Sequence, residues 1–251
     1  MRSFRVALLL ACIVLVAVPA FADITITMTM TTTGGPVPME MTTVSSIKGM
    51  KMRSDAKGMG QDMSLFVDVA TKQQLMVNNV TKEVQDAGAM LANIPMSVGE
   101  VTMSVKPNGQ TKEVLGRTCA GYTVDASMPM TMMDETLSMT MSGVVWSAKD
   151  APGAGEYRAF AKASAAAGLL SGVLAQGPQA KSIAQLQATL AENGIPLQQD
   201  MQITISGSGQ VAQMMEQSGA GNMKMTMAVT ALSADPIPAE TFTVPGSTPK
   251  K

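Results

Sequence analysis

The sequence predicts a protein of the α+β class, predominantly antiparallel β: a curved sheet or half-barrel carrying a two-helix insertion. Three observations lead there. Apolar residues alternate with polar ones at period 2 in many short runs, the mark of strands with one buried face. Turn-forming Gly, Pro, Asn and Ser separate those runs. One alanine-rich stretch, 155–193, abandons alternation for helical spacing.

The first run sets Ile24, Ile26, Met28 and Met30 against Thr25, Thr27, Thr29 and Thr31. Threonine suits the outer face, because a β-branched side chain fits the pleat. The pattern returns at Val37, Met39 and Met41, then at Met50 and Met52, and again at Met63, Leu65, Val67 and Val69. Further runs are Val101, Met103 and Val105; Met128, Met130 and Met132; and Leu137, Met139 and Met141, continuing to Val145. Near the end, Ile203 and Ile205 precede Met223, Met225, Met227, Val229 and Ala231. Turns are expected at Gly34-Gly35-Pro36, Lys57-Gly58, Pro107-Asn108-Gly109 and Ser206-Gly207-Ser208-Gly209.

In the insertion, Tyr157, Phe160, Ser164 and Gly168 keep a helical spacing that continues through Leu169, Leu170, Val173 and Leu174. Gly177-Pro178 is the expected break. A second helix carries Ile183, Leu186 and Leu190 and stops at Asn193-Gly194. A third, shorter helix is possible at Gln210 to Gln217, and the tail 246–251 reads as frayed.

The N-terminus has the three parts of an export signal. Arg2 and Arg5 are basic, Val6 to Val18 is apolar, and Pro19 precedes the small-residue site Ala20-Phe21-Ala22. The apolar run is shorter than the roughly 20 residues that span a bilayer, which favours cleavage after Ala22 and a periplasmic protein starting at Asp23. Leu9-Leu10-Ala11-Cys12 resembles a lipobox. Acylation at Cys12 would leave an apolar stub after the lipid, so that reading is secondary.

Residues 23–245 are expected to form a single domain. Without residues 1–22 the chain has one cysteine, Cys119, and 24 of the 25 methionines. Its charge is 16 basic against 19 acidic, with no histidine, which is no footprint for nucleic acid. No later segment reaches membrane-spanning length. Cys119 cannot form an internal disulfide and reads as a buried hydrophobe rather than a reactive thiol.

Several short motifs resemble a known family. Ile47-Lys48-Gly49-Met50-Lys51-Met52-Arg53, followed by Leu65-Phe66-Val67-Asp68, looks like the opening of the DUF4412 family of bacterial envelope proteins. Gly116-Arg117-Thr118-Cys119-Ala120-Gly121-Tyr122, then Val145-Trp146-Ser147 and Glu156-Tyr157-Arg158-Ala159-Phe160, are similar to it as well. The ending Ile237-Pro238-Ala239-Glu240-Thr241-Phe242-Thr243-Val244-Pro245 resembles the close of LolA-like envelope domains. The resemblance implies a curved antiparallel sheet with helices plugging its concave side. It implies no activity, and the methionine content departs from it.

The chemistry points away from catalysis. The commonest acid/base side chain is missing, Cys119 lacks a histidine partner, and no nucleophile elbow or phosphate-cradling loop is present. No cofactor is expected. Methionine, roughly a tenth of the chain, has three competing readings: a core built from thioethers, a flexible lining for a lipid or other apolar ligand, or a soft-metal site. The lining reading names Met28, Met30, Met52, Met63, Met103, Met139, Met141, Met225 and Met227. Trp146 joins them, although a large aromatic there suits a packing anchor better than a site residue. The metal reading for Cu(I) or Ag(I) names Met128, Met130, Met223 and Met225, since Met-x-Met on a strand places both sulfurs on one face. A purely structural or partner-binding envelope domain is the third possibility.

Overall fold

The computed structural model describes residues 23–35, 37–87, 96–132, 135–169, 186 and 188–245. The expected signal peptide and the tail 246–251 lie outside them, as does the beginning of the expected second helix, of which residues 186 and 188–192 are helical. The first half of the chain forms β1 (Ile24–Thr33), β2 (Met39–Lys48), β3 (Lys51–Gly58), β4 (Gln61–Asp68), β5 (Gln73–Asn78) and β6 (Val84–Asp86). Then come β7 (Met96–Val98), β8 (Thr102–Val114), β9 (Arg117–Met132) and β10 (Glu135–Ala148). Helix α1 (Ala154–Ala167), β11 (Ile195–Gly207), α2 (Gln210–Gln217) and β12 (Asn222–Ser233) complete the set, with a 3₁₀ turn at Ala239–Phe242.

All twelve strands belong to one antiparallel, curved and unclosed sheet, in the order β6-β5-β4-β3-β2-β1-β12-β11-β10-β9-β7, with β8 also paired to β9. Two meanders are therefore joined through the first and last strands. The β1–β12 seam carries a bulge: Ile26 faces Leu232, but Met28 faces Val229. The extra residue in β12 turns both Leu232 and Val229 toward the same core, which strict alternation forbids.

Helix α1 covers one end of the apolar face. Its Phe160 and Ala154 pack with Ile24, Ile26, Ile47, Val67, Ile195 and Leu197 in the largest core cluster. The helix ends sooner than the sequence suggests. Gly168 takes a left-handed conformation (φ 73°), its N–H donates to the Ala165 carbonyl, and the Leu169 N–H reaches back to Ser164. Such a cap stops a helix regardless of the apolar residues beyond it. The short helix expected at Gln210 to Gln217 forms over those residues. Its first N–H groups, on Gln210 and Val211, donate to the Glu135 carboxylate at 2.9 and 2.8 Å, an acceptor well placed at a helix N-terminus.

Two expected turns are overturned. Lys57 and Gly58 end β3, and the turn follows at Met59 and Gly60. Pro107, Asn108 and Gly109 lie within β8, where the register with β9 shifts between Pro107 and Thr111. The Asn108 side chain accepts from the Gln110 N–H, so the turn-forming residues bend a strand without ending it. Met50, read as part of an alternating run, instead sits exposed in the β2–β3 turn. Strands β5 and β6 were not anticipated, because Gln73 to Asn78 and Val84 to Asp86 carry too few alternating apolar residues.

Two part-buried polar contacts hold the periphery. Asp23 accepts from Lys48 Nζ at 2.8 Å and from the Ile237 N–H at 2.6 Å, and Lys48 also donates to the Ile237 carbonyl. Burial alone would raise the Asp23 carboxyl, but Lys48 and the Ile237 N–H outweigh it and hold it below the ordinary range. Beyond Ile237 the chain runs back over the sheet, where Arg53 donates to the Thr241 carbonyl and lies 5.3 Å above the Phe66 ring. The second contact is Glu156 of α1, which is buried and accepts from the Gly49 N–H in the β2–β3 turn. Burial pushes its carboxyl up, the Gly49 N–H opposes that, and the Asp23 charge adds to it.

Each contact yields a prediction. Asp23→Ala removes two hydrogen bonds to a charged acceptor, and should lower stability by about 2 kcal/mol, or roughly 4–8 °C in Tm. The loss should shrink as pH falls through the depressed Asp23 value, since protonation removes the same interaction from the wild type. An unchanged Tm at neutral pH would show that the C-terminal segment is not anchored there. For Glu156 the sign is opposite. Its ordinary value is 4.5, so above that the unfolded chain ionises first and folding is increasingly penalised. Glu156→Gln keeps an acceptor for Gly49 without titrating. Thermal melts should place it above wild type at neutral pH and level with it near pH 4; equal curves throughout would refute the buried-acid reading.

Candidate functional site

The strand register decides which methionines meet. On β1, Met30 lies directly opposite Met41 of β2 on one side and Met227 of β12 on the other. The next rung holds Met39 and Met225, both opposite Thr32. Met28 stands two residues up β1 from Met30, on the same face by strand alternation. Three adjacent strands thus each contribute a Met-x-Met pair: 39 and 41, 28 and 30, 225 and 227. Met201 of β11 extends the patch opposite Met225.

These side chains differ in what they touch. Met28 packs against the cluster under α1. Met201 is buried and Met225 packs beside it in a second cluster, with Val124, Val145, Met141, Leu186 and Leu190. A Cβ at Gly143 would collide with the Asp200 carbonyl oxygen and stand 2.7 Å from the Met201 sulfur, so the close approach of backbone here needs a glycine. Met30, Met39, Met41 and Met227 are half-buried and, among the described residues, belong to no core cluster.

The remaining expected lining residues are dispersed. Met52, opposite Ile47 and Val67, packs into the core beneath α1. Met63 faces Ala56 and Asn78, toward the β5 side of the sheet. Met103 and Met139 pack with Met128, Met130, Leu137 and Ala212 in a third cluster, under α2. Met141 lies across Ala126 from Met103. Trp146 packs at the margin of the core cluster beneath α1 and lies 5.7 Å beneath the Lys112 ammonium.

Nor do the four expected metal ligands converge. Met128 and Met130 are buried core residues of β9, whereas Met223 and Met225 belong to β12, with β10 and β11 between them. Three strand spacings amount to roughly 14 Å. Met223 instead faces Ile203, and its sulfur lies over Gly35. Met39, Met41 and Met201 were outside the expected lining. The Met39-x-Met41 alternation is visible in sequence, but nothing local says which strand it will adjoin.

Comparisons with known proteins add little about family. No protein-family profile matches the chain. No curated protein matches it either. Two solved structures are similar over most of their length. One is a domain named as an outer membrane lipoprotein-sorting protein from Vibrio parahaemolyticus, with 8% identity, 88% of this chain and 89% of that chain covered, and a TM-score of 0.32. The other is a DUF1329 family protein from Desulfovibrio piger ATCC 29098, with 7% identity, 88% and 90% covered, and a TM-score of 0.33.

Two other features bear on chemistry. Among the described residues, no group of three or more His, Cys, Asp or Glu is placed to hold a metal ion. No described helix is long and apolar enough to cross a membrane. A groove of about 390 Å³ overlies residues 102–104, 125–127 and 140–142 of three neighbouring strands. A second cavity, of about 550 Å³, lies between α2, the adjoining ends of β11 and β12, and Gly34.

Cys119 is wholly buried in the main core, as expected of a structural thiol. Burial pushes its pKa up, nearby Glu113 and Asp150 add to that, and Arg117 only partly offsets them. Such a thiol is a poor nucleophile. A disulfide dye should therefore leave the native chain from Asp23 onward unlabelled and titrate one thiol after denaturation; rapid native labelling would contradict this burial.

Proposed function

We propose that this chain is an exported, non-enzymatic envelope protein that holds an apolar ligand, such as an acyl chain, against the methionine-paved face of its sheet. The observation that carries the reading is the strip of half-buried thioethers at Met30, Met39, Met41 and Met227, outside the packed clusters. Methionine has three rotatable bonds and a polarizable sulfur, so such a strip can conform to ligands of differing shape. Each buried CH₂ of a ligand contributes about 0.8 kcal/mol, so a long chain binds without a dedicated polar site.

Export rests on the residues 1–22 signal and cleavage after Ala22, with residues 23–245 as one domain and 246–251 as its tail. Membership of the DUF4412 family, and a carrier role of the LolA-like kind, belong to the same proposal and rest on the motifs around Lys48, Cys119 and Pro238. A partner protein in the envelope is the natural donor or acceptor of such a ligand.

Native mass spectrometry of protein purified from envelope extracts should show an adduct in the mass range of a lipid. A fluorescent fatty acid should bind saturably and be displaced by an unlabelled one. A ligand-free spectrum together with no uptake of the probe would sink the proposal.

A further inference from the structure

We propose that Met41, Met30 and Met227 form a binding site for one soft monovalent metal ion, Cu(I) or Ag(I), with Met28, Met39 and Met225 as the surrounding sulfurs. The argument starts from the rung. Hydrogen-bonded strands lie about 4.8 Å apart, so three side chains on one rung of β2, β1 and β12 begin with their roots evenly spaced and pointing the same way. The outer two need only lean toward Met30 for three sulfurs to surround an ion above it. Long, flexible methionine side chains permit that lean, where branched leucine or isoleucine would fill the space without donating.

Donor chemistry then fixes the class of ion. Thioethers are soft and neutral, and they suit Cu(I), whereas Zn²⁺ and Cu²⁺ call for imidazole, thiolate or carboxylate. The chain has no histidine, its one cysteine beyond residue 22 is buried in the core elsewhere, and no described carboxylate cluster can substitute. Of the charged residues nearby, Glu40 adjoins Met41 and Lys224 lies three residues from Met227, so strand alternation turns both to the other face, while the uncharged Gln199 of β11 lies opposite Met227. A thioether carries no proton near neutrality. Binding here neither releases protons nor weakens toward acid pH, unlike binding by His or Cys.

The half-burial of the three residues makes the site reachable, and among the described residues they belong to none of the core clusters. This distinguishes them from Met128 and Met130, which α2 and its neighbours immobilise.

The test uses the whole chain from Asp23 onward. Anaerobic titration with Cu(I) against a chromophoric Cu(I) chelator, and with Ag(I) followed by native mass spectrometry, should give one ion per chain held more tightly than by free methionine. X-ray absorption should show sulfur alone in the first shell, and the affinity should be flat from acid to neutral pH. Met30→Leu keeps volume and apolarity, and should weaken binding by roughly tenfold or more, while Met139→Leu, under α2, leaves it unchanged. Circular dichroism of each variant confirms that the sheet forms.

Affinity no better than free methionine, nitrogen or oxygen in the first shell, or an Met30→Leu variant that binds like wild type would each overturn the site. The lipid reading fails separately, when wild type takes up no fatty acid yet still binds Ag(I); uptake that survives Met30→Leu while Ag(I) binding is lost assigns the two functions independently.

Discussion

Pairing between the first strand and the last is the contact on which the rest of the structure depends. Strands β1 to β6 form one meander and β9 to β12 another, and among the described residues the β1–β12 ladder makes a single sheet of them. Its bulge sets the phase. Above the bulge Ile26 faces Leu232; below it Met30 faces Met227, and both pairs point to the apolar side. A slip of one residue would turn Met223, Met225 and Met227 outward and replace them with lysine and threonine. The core under α1 and the thioether strip therefore share one register.

That register is also the boundary of what could be read from the residues alone. Alternation through Ile24, Ile26, Met28 and Met30 identifies a strand and its inner face, and the stretch around Tyr157 and Phe160 identifies a helix, because both patterns are local. Even the short α2 is visible between its glycines. What escaped was non-local or depended on context. Gly168 looks like one more position on a helical stripe until its left-handed conformation ends α1. Pro107-Asn108-Gly109 has the residues of a turn, yet a partner strand on β9 continues to both sides of it. Which methionines become neighbours depends on pairing across some 200 residues, so the candidate site could be assigned a face but not a centre.

The three core clusters show why so many methionines are compatible with a defined fold. Where α1 docks, the sheet uses isoleucine, valine and leucine, with Met28 and Met52 only at the margin. Under α2, buried Met128 and Met130 fill the space around Leu137. Rigid branched residues fix the shape at one end, while softer ones absorb irregularity at the other. Among the described residues the strip between them joins none of the clusters, and this division lets one sheet combine a specific core with an adaptable surface.

The seam also governs the order of assembly. The Thr230 hydroxyl donates to the carbonyl of Thr27, 203 positions earlier in the chain. Contacts of such separation raise the contact order and slow folding, because the intervening loop must be closed before they form. For a chain emerging N-terminus first, β2 can cover one edge of β1 early, but its other edge stays open until β12 arrives. A truncated or stalled chain thus presents an unpaired, threonine- and methionine-rich strand edge, the kind that templates association with other chains. The last strand completes the sheet and also removes that hazard.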